Sequence, residues 1–347
     1  MIKVLVVEDS PVIQELIVQY INNDPQMQVA AVAVTGLEAV ALNQKHKPDV
    51  ITMDVNLPEM NGLEATKKIM ETNPVPIIIC SANFNPKDMN DTFSALSAGA
   101  AAVAEKPHSY GTKTFDVLIG RLLNNIRLLS AIKVYKRVPV QPITVSNLIR
   151  KSPTKEAYLF NNKFSLIAIG ASTGGPVVIE RLLANLPDRF STPIIIVQHI
   201  TPGFSNGFVE WLQKSSKVNI KLAEQNEPIQ PGTCYVAPDN FNCTVCKNMV
   251  IHLEDTPPEH SARPSVSALF RSVAKNAGEK ALGILLTGMG KDGAAELKLI
   301  KDAGGETIIQ DAESSVVYGM PGEALKLKAE KHVLSPEKMI EYFHDIT

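Results

Sequence analysis

Short apolar runs recur along this chain, and most of them pass through a polar turn into an amphipathic stretch at helical spacing. A run of four to seven apolar residues bounded by Gly or charged residues reads as a strand buried on both faces. Such strands alternating with helices imply a parallel sheet covered on both sides. The pattern occurs twice. Runs at 4–7, 29–34, 50–53, 77–80 and 101–104 alternate with helical stretches at 11–21, 37–44, 62–70, 88–97 and 114–129. Runs at 166–169, 194–197, 281–287 and 305–310 are interleaved with helices at 206–214, 266–276, 294–303 and 322–328. Between 232 and 253 the pattern changes to short β runs, read as hairpins at an edge. The expected class is therefore α/β throughout. Residues 1–130 form one five-unit domain, 131–163 a linker, and 164–347 a second parallel domain with a small β-hairpin region.

In an open parallel sheet, ligands bind beyond the carboxyl ends of the strands. Sorting polar residues by that rule gathers distant positions. In the first domain Glu8 and Asp9 follow strand one, Asp54 strand three, Ser81 strand four and Lys106 strand five. Three carboxylates at one edge repel unless a cation sits among them, and hard oxygen ligands favour Mg²⁺. A metal-neutralised carboxylate beside a lysine and a hydroxyl can accept a phosphoryl group. A single Asp at a strand end is most often a helix cap; five matched groups in matched places weaken that alternative.

In the second domain the stretch 164–186, FSLIAIGASTGGPVVIERLLANL, sets Ser172 on a glycine-rich turn between a buried strand and a helix start. A hydroxyl there lies near unpaired backbone N–H groups and the positive end of the helix. The Gly-Lys-Ser/Thr ending of a phosphate loop and the G-x-G-x-x-G of a dinucleotide fold are both absent. G-x-S-x-G is present; a helix-capping serine is the plain alternative. His199 and Asp292 also follow buried strands. Nucleophile, base and orienting carboxylate at one sheet edge make up a hydrolase triad. The order Ser172, His199, Asp292 differs from the Ser, Asp/Glu, His order of α/β-hydrolases. That fold would need His332 or His344 as base, and both are read as lying in polar C-terminal stretches without a strand.

Bulk properties remove other classes. The net charge is −2, which gives no nucleic-acid surface. No apolar run approaches the ~18 residues a membrane span needs. Four cysteines in 347 residues point to a reducing compartment and the cytoplasm. Cys243 and Cys246, near His252 and His260, have zinc-knuckle spacing, but three apart on a strand they face opposite sides. Trp211 reads as packing rather than a recognition platform. The linker carries Lys133, Lys136, Arg137, Arg150, Lys151 and Lys155 among its prolines, a solvated basic stretch.

Residues 1–130 resemble the receiver domain of two-component response regulators, a flavodoxin-like (βα)5 fold. The resemblance implies Asp54 as phosphoacceptor, Glu8 and Asp9 as the acid pocket, and Asn56 as a backbone contact to Mg²⁺. It makes Ser81 and Lys106 the switch residues. Val103 stands where an aromatic switch residue is frequent. IGASTGGP, VQHITPGF, YVAPDN, ARPSV, LTGMGKDGA and QDAESSVVYGMP resemble, in order, the motifs of the chemotaxis protein-glutamate methylesterase (CheB) family. That resemblance implies a Rossmann-like catalytic domain. It implies hydrolysis of glutamyl methyl esters on chemoreceptors by Ser172, His199 and Asp292, with deamidation of receptor glutamines. Thr173 and Met289 are the expected oxyanion donors, and Arg263 a substrate contact. The implied partners are a histidine kinase as phosphodonor and methylated chemoreceptor helices, and phosphorylation would open a site that the receiver covers. Ser267 and Asn242 depart from the family's Asp and His. The alternatives are a paralogue serving a non-chemotaxis receptor, a docking module without hydrolysis, and a DNA-binding regulator.

Overall fold

The computed structural model describes residues 1–81, 86–131 and 163–346, with the side chains of 86–90 left aside. The expected basic linker therefore lies outside the described residues.

The first sheet is built from β1 (Ile2–Val7), β2 (Met27–Ala33), β3 (Val50–Asp54), β4 (Ile77–Ser81) and β5 (Ala102–Glu105). Its order is β2-β1-β3-β4-β5 and every pairing is parallel. Helices α1 (Pro11–Asn23), α2 (Gly36–His46), α3 (Gly62–Thr72), α4 (Pro86–Ala98) and α5 (Lys113–Leu129) connect and cover the strands. The chain reverses direction across the sheet between β1 and β3, so a crevice opens at their carboxyl ends. Local chemistry starts several of these helices. Thr35 and Asn61 accept hydrogen bonds from the third amide of α2 and α3, and Pro11 opens α1, where no N–H is needed.

The second sheet has seven strands, all parallel: β6 (Leu166–Ala171), β7 (Ile194–Gln198), β8 (Asn219–Leu222), β9 (Thr233–Val236), β12 (Ala281–Leu285), β13 (Glu306–Gln310) and β14 (His332–Leu334). The order is β14-β13-β12-β6-β7-β9-β8, so its direction reverses between β6 and β12. A separate antiparallel pair is formed by β10 (Asn242–Cys246) and β11 (Val250–Glu254). Helices α6 (Gly175–Ala184), α7 (Ser205–Ser215), α8 (Val266–Asn276), α9 (Ala294–Asp302), α10 (Met320–Lys326) and α11 (Pro336–Asp345) complete the domain.

Two sequence expectations change here. The run at β9 is an interior strand between β7 and β8 rather than part of an edge hairpin. All four of its residues are buried, and burial on both faces is what a parallel strand requires. Only β10 and β11 form the expected hairpin. His332 lies in a strand after all, pairing with Ile308 of β13, while its ring meets Glu306. His344 sits on α11 and faces the Asn185 carbonyl. Neither histidine is available as a base for Ser172.

The apolar core does not stop at the domain boundary. One buried cluster runs from Leu5, Ile51 and Ile79 of the first sheet to Ile167, Ile196 and Ile284 of the second. The join is made by α4, which packs on α6 and α7. Phe93 of α4 stacks on Trp211 with ring centroids 5.4 Å apart, and it also meets Phe204 and Phe208. All four rings are buried. Trp211 is a packing residue, stacked against both Phe208 of its own helix and Phe93 from the first domain. Val103 is half-buried and lies against this same shared core.

Candidate active site

Ser172 directly follows β6 and precedes α6. Gly174 between them has φ +81°, and a Cβ there would come within 2.6 Å of Val316, so the turn requires glycine. His199 directly follows β7, and Asp292 lies in the loop between β12 and α9. The three residues therefore stand at the carboxyl edge around the β6–β12 crevice. His199 Nε2 lies 2.8 Å from Asp292 Oδ2.

Asp292 is 2 % exposed and receives three further hydrogen bonds. The Ser265 hydroxyl and the Ser267 amide donate to Oδ1, each at 2.9 Å, and the Val266 amide donates to Oδ2 at 2.7 Å. These amides belong to the first turn of α8, so the carboxylate sits at a positive helix end. Burial opposes its ionisation. The hydrogen bonds and charge of His199, with those from Ser267, outweigh burial and lower the pKa to about 2.

The two departures from the family pattern lie beneath this carboxylate. Asn242 is fully buried; its Oδ1 accepts the Ser265 amide at 2.9 Å and its Nδ2 donates to Thr256 Oγ1. Ser267 donates to Glu296 Oε2 at 2.7 Å and accepts from the Gly293 amide. Both are satisfied polar groups that hold the Asp292 loop. Ser265, missed as a site residue, was signalled as a helix cap by its place between Pro264 and the apolar spacing of 266–276.

Ser172 Oγ makes no hydrogen bond to His199 among the described residues. What joins the two is backbone and amide. The His199 N–H donates to the Ala171 carbonyl at 2.9 Å, and Gln198 reaches both Ser172 and His199 carbonyls. Thr287 supports the same turn from below. Its hydroxyl donates to the Thr173 carbonyl at 3.0 Å and accepts from the Val317 amide at 3.0 Å. Val317 also accepts from the Gly288 amide, and Val316 and Val317 lie against the apolar cluster of the first domain. The backbone amides of Thr173 and Met289 donate no hydrogen bond among the described residues. Arg263 holds Asp255 and the Thr256 carbonyl and makes no bond to the three candidate residues.

A second site lies at the carboxyl edge of the first sheet. Lys106 Nζ bridges Asp54 Oδ2 at 2.5 Å and Glu8 Oε1 at 3.0 Å. Burial raises the pKa of both carboxyls, although the Lys106 charge works the other way. Burial also works against the Lys106 charge, but Asp54 and Glu8 hold its pKa above the ordinary value. Ligand oxygens of Glu8, Asp9 and Asp54 lie within 4.8 Å of one another. The Asn56 amide donates to Asp54 Oδ1, and the Lys106 amide to the Ser81 carbonyl. Cys243 and Cys246 fall on opposite faces of β10, one buried and one exposed. Burial pushes the Cys243 thiol up to about 12.

Comparison with known proteins adds an independent line. Residues 167–343 match the family model described as CheB methylesterase, and residues 4–112 match the response regulator receiver domain. The chain is 47% identical over 339 residues to protein-glutamate methylesterase/protein-glutamine glutaminase 1 of Syntrophus aciditrophicus, covering 98% of this chain and 96% of that protein. It is 44% identical over 341 residues to the protein of the same activity name from Nitrosospira multiformis, covering 98% and 95%. The crystal structure of the Thermotoga maritima CheB methylesterase catalytic domain is 33% identical. It superposes with a TM-score of 0.52, covering 53% of this chain and 99% of that one. No described helix is long and apolar enough to cross a membrane.

Proposed function

Because the chain belongs to the CheB methylesterase family with a response regulator receiver domain, we propose that it hydrolyses glutamate γ-methyl esters on chemoreceptors. The same site would deamidate receptor glutamines. The observation that carries this reading is the buried, ionised Asp292 holding His199 beside the Ser172 turn.

The chemistry follows from that arrangement. An ionised carboxylate only accepts, so His199 Nε2 carries the proton and Nδ1 holds the lone pair. Ser172 Oγ attacks the ester carbonyl and its proton passes to His199 Nδ1. The imidazolium faces Asp292 and gives the proton to the departing methoxide, which leaves as methanol. Water then attacks the acyl-serine by the same route, releasing glutamate and restoring Ser172. The free amides of Thr173 and Met289 suit the oxyanion of each tetrahedral intermediate. Arg263, tied to Asp255, stays a proposal for holding substrate outside the reacting centre.

Asp54 is the proposed phosphoacceptor, supplied by a histidine kinase. Glu8, Asp9 and Asp54 fit Mg²⁺ by donor type and spacing, with Asn56 beside them. Bound there, Mg²⁺ would neutralise charge during phosphoryl transfer. Ser81 and Lys106 would then contact the phosphoryl group, and Lys106 would give up its present hold on Glu8. The receiver packs on α6 and α7, the two helices that leave Ser172 and His199. This supports a closed state that phosphorylation opens. The setting is the cytoplasm, where receptor helices are methylated.

The test is methanol release from methylated receptor, with and without a small phosphodonor. Ser172→Ala should abolish release, and Asp54→Asn should make the rate indifferent to the donor. Release that survives Ser172→Ala would sink the proposed chemistry, and a donor response in Asp54→Asn would sink the gating.

A further inference from the structure

Gln198 is the last residue of β7 and is 3 % exposed. Its Nε2 donates to the Ser172 carbonyl at 2.9 Å and to the His199 carbonyl at 2.8 Å. A primary amide has two N–H donors, so both are used. One side chain thus ties the backbone of the serine to the backbone of the base. Its Oε1 is buried without a hydrogen-bond partner among the described residues. Turning the amide over would set Oε1 against two carbonyl oxygens, so the orientation is fixed despite the unpaired acceptor. Buried orphan acceptors are rare, and each needs a reason.

The reason lies in the next peptide. The Ser172 carbonyl and the Thr173 N–H belong to one planar trans peptide, so they point in opposite directions. Whatever holds the Ser172 oxygen also aims the Thr173 N–H. The Gly175 amide reaches the same oxygen from the helix side at 2.9 Å. Gly175 also leaves room for the clamp: a Cβ there would lie 2.3 Å from Gln198 Oε1.

We propose that Gln198 is a positioning residue that aims the Thr173 amide at the oxyanion and fixes the His199 backbone relative to it. This rests on reading Ser172, His199 and Asp292 as the reacting set and Thr173 as an oxyanion donor. It touches neither substrate nor reacting atoms. Its effect falls on the transition state, where the negative oxygen develops, and not on ground-state binding.

Three variants of the full chain test it with methylated receptor as substrate. Gln198→Met keeps the volume and removes both donors. It should lower kcat roughly 10- to 100-fold, short of the loss from deleting a donor outright, and leave KM within about twofold. Gln198→Glu should retain partial activity while its carboxyl is protonated and able to donate. It should show a descending limb as pH rises that the unsubstituted protein lacks, because an ionised carboxylate would face two carbonyl oxygens. The thermal midpoint, measured alongside, reports folding. A Gln198→Met enzyme with unchanged kcat, or a Gln198→Glu enzyme with the parent pH profile, overturns the inference. Ser172→Ala is the control: methanol release that survives it removes the reading of the site and the inference with it.

Discussion

His199 turns Nε2, and not Nδ1, towards Asp292 at 2.8 Å. Since Asp292 is ionised and every remaining contact to its oxygens is a donor, the tautomer of His199 is set by charge alone. Asp292→Asn would present an amide to the α8 amides and to Nε2, and the proton would shift to the wrong nitrogen. The expected result is a loss in kcat of roughly 10³- to 10⁴-fold, with thermal stability lowered much less. Steady-state methanol release beside a melting curve checks both.

The same carboxylate predicts an acid dependence of stability. Its folded pKa of about 2 lies below its ordinary value of 3.8. A depressed carboxyl contributes stability above the unfolded pKa and loses it as pH falls through the folded one. The window is therefore about pH 4 down to about pH 2, and the shift corresponds to roughly 2 kcal/mol. Urea unfolding at about pH 5 and about pH 2 should show Asp292→Asn losing less over that interval than its parent. Equal losses would remove Asp292 as a source of acid sensitivity.

At the receiver edge, burial disfavours the charged forms of Glu8 and Asp54, and Lys106 only partly offsets that cost. A divalent ion binding the folded form should therefore stabilise it. Saturation at a hundredfold over Kd is worth about 2.7 kcal/mol. Differential scanning fluorimetry should show the midpoint rising with Mg²⁺ in the parent and barely moving in Asp9→Asn.

The stacking of Phe93 on Trp211 bears on how tightly the proposed closed form is held. An aromatic pair contributes about 0.5–1.5 kcal/mol beyond the area it buries. Phe93→Ala should raise donor-free esterase activity several-fold and narrow the gap between donor-treated and untreated enzyme. Donor-free activity that stays at the parent level would show that α4 is not the closing contact.

Much of this was legible in the sequence, for one physical reason. Parallel strands buried on both faces are plain in composition, and their carboxyl ends must collect the chemistry, so Ser172, His199 and Asp54 could be placed by position along the chain. What lay beyond that rule depends on tertiary contact. Ser265 and the α8 amides reach Asp292 from nearly thirty residues upstream, and no periodicity reports that meeting. The strands β8, β9 and β14 are three or four residues long and carry too few positions to show a period. Trp211 announced packing but not its partner. Arg263 was named for substrate, and no signal along the chain reported its pairing with Asp255.

The cluster that runs from Leu5 and Ile51 through Phe93 to Phe208 and Ile284 belongs to neither domain alone. These halves cannot be traded as cassettes. A receiver whose α4 carries no ring at the place of Phe93 would leave Trp211, Phe204 and Phe208 without that cover. In lineages that descend from this chain, drift at the face of α4 and drift at the face of α7 must keep step.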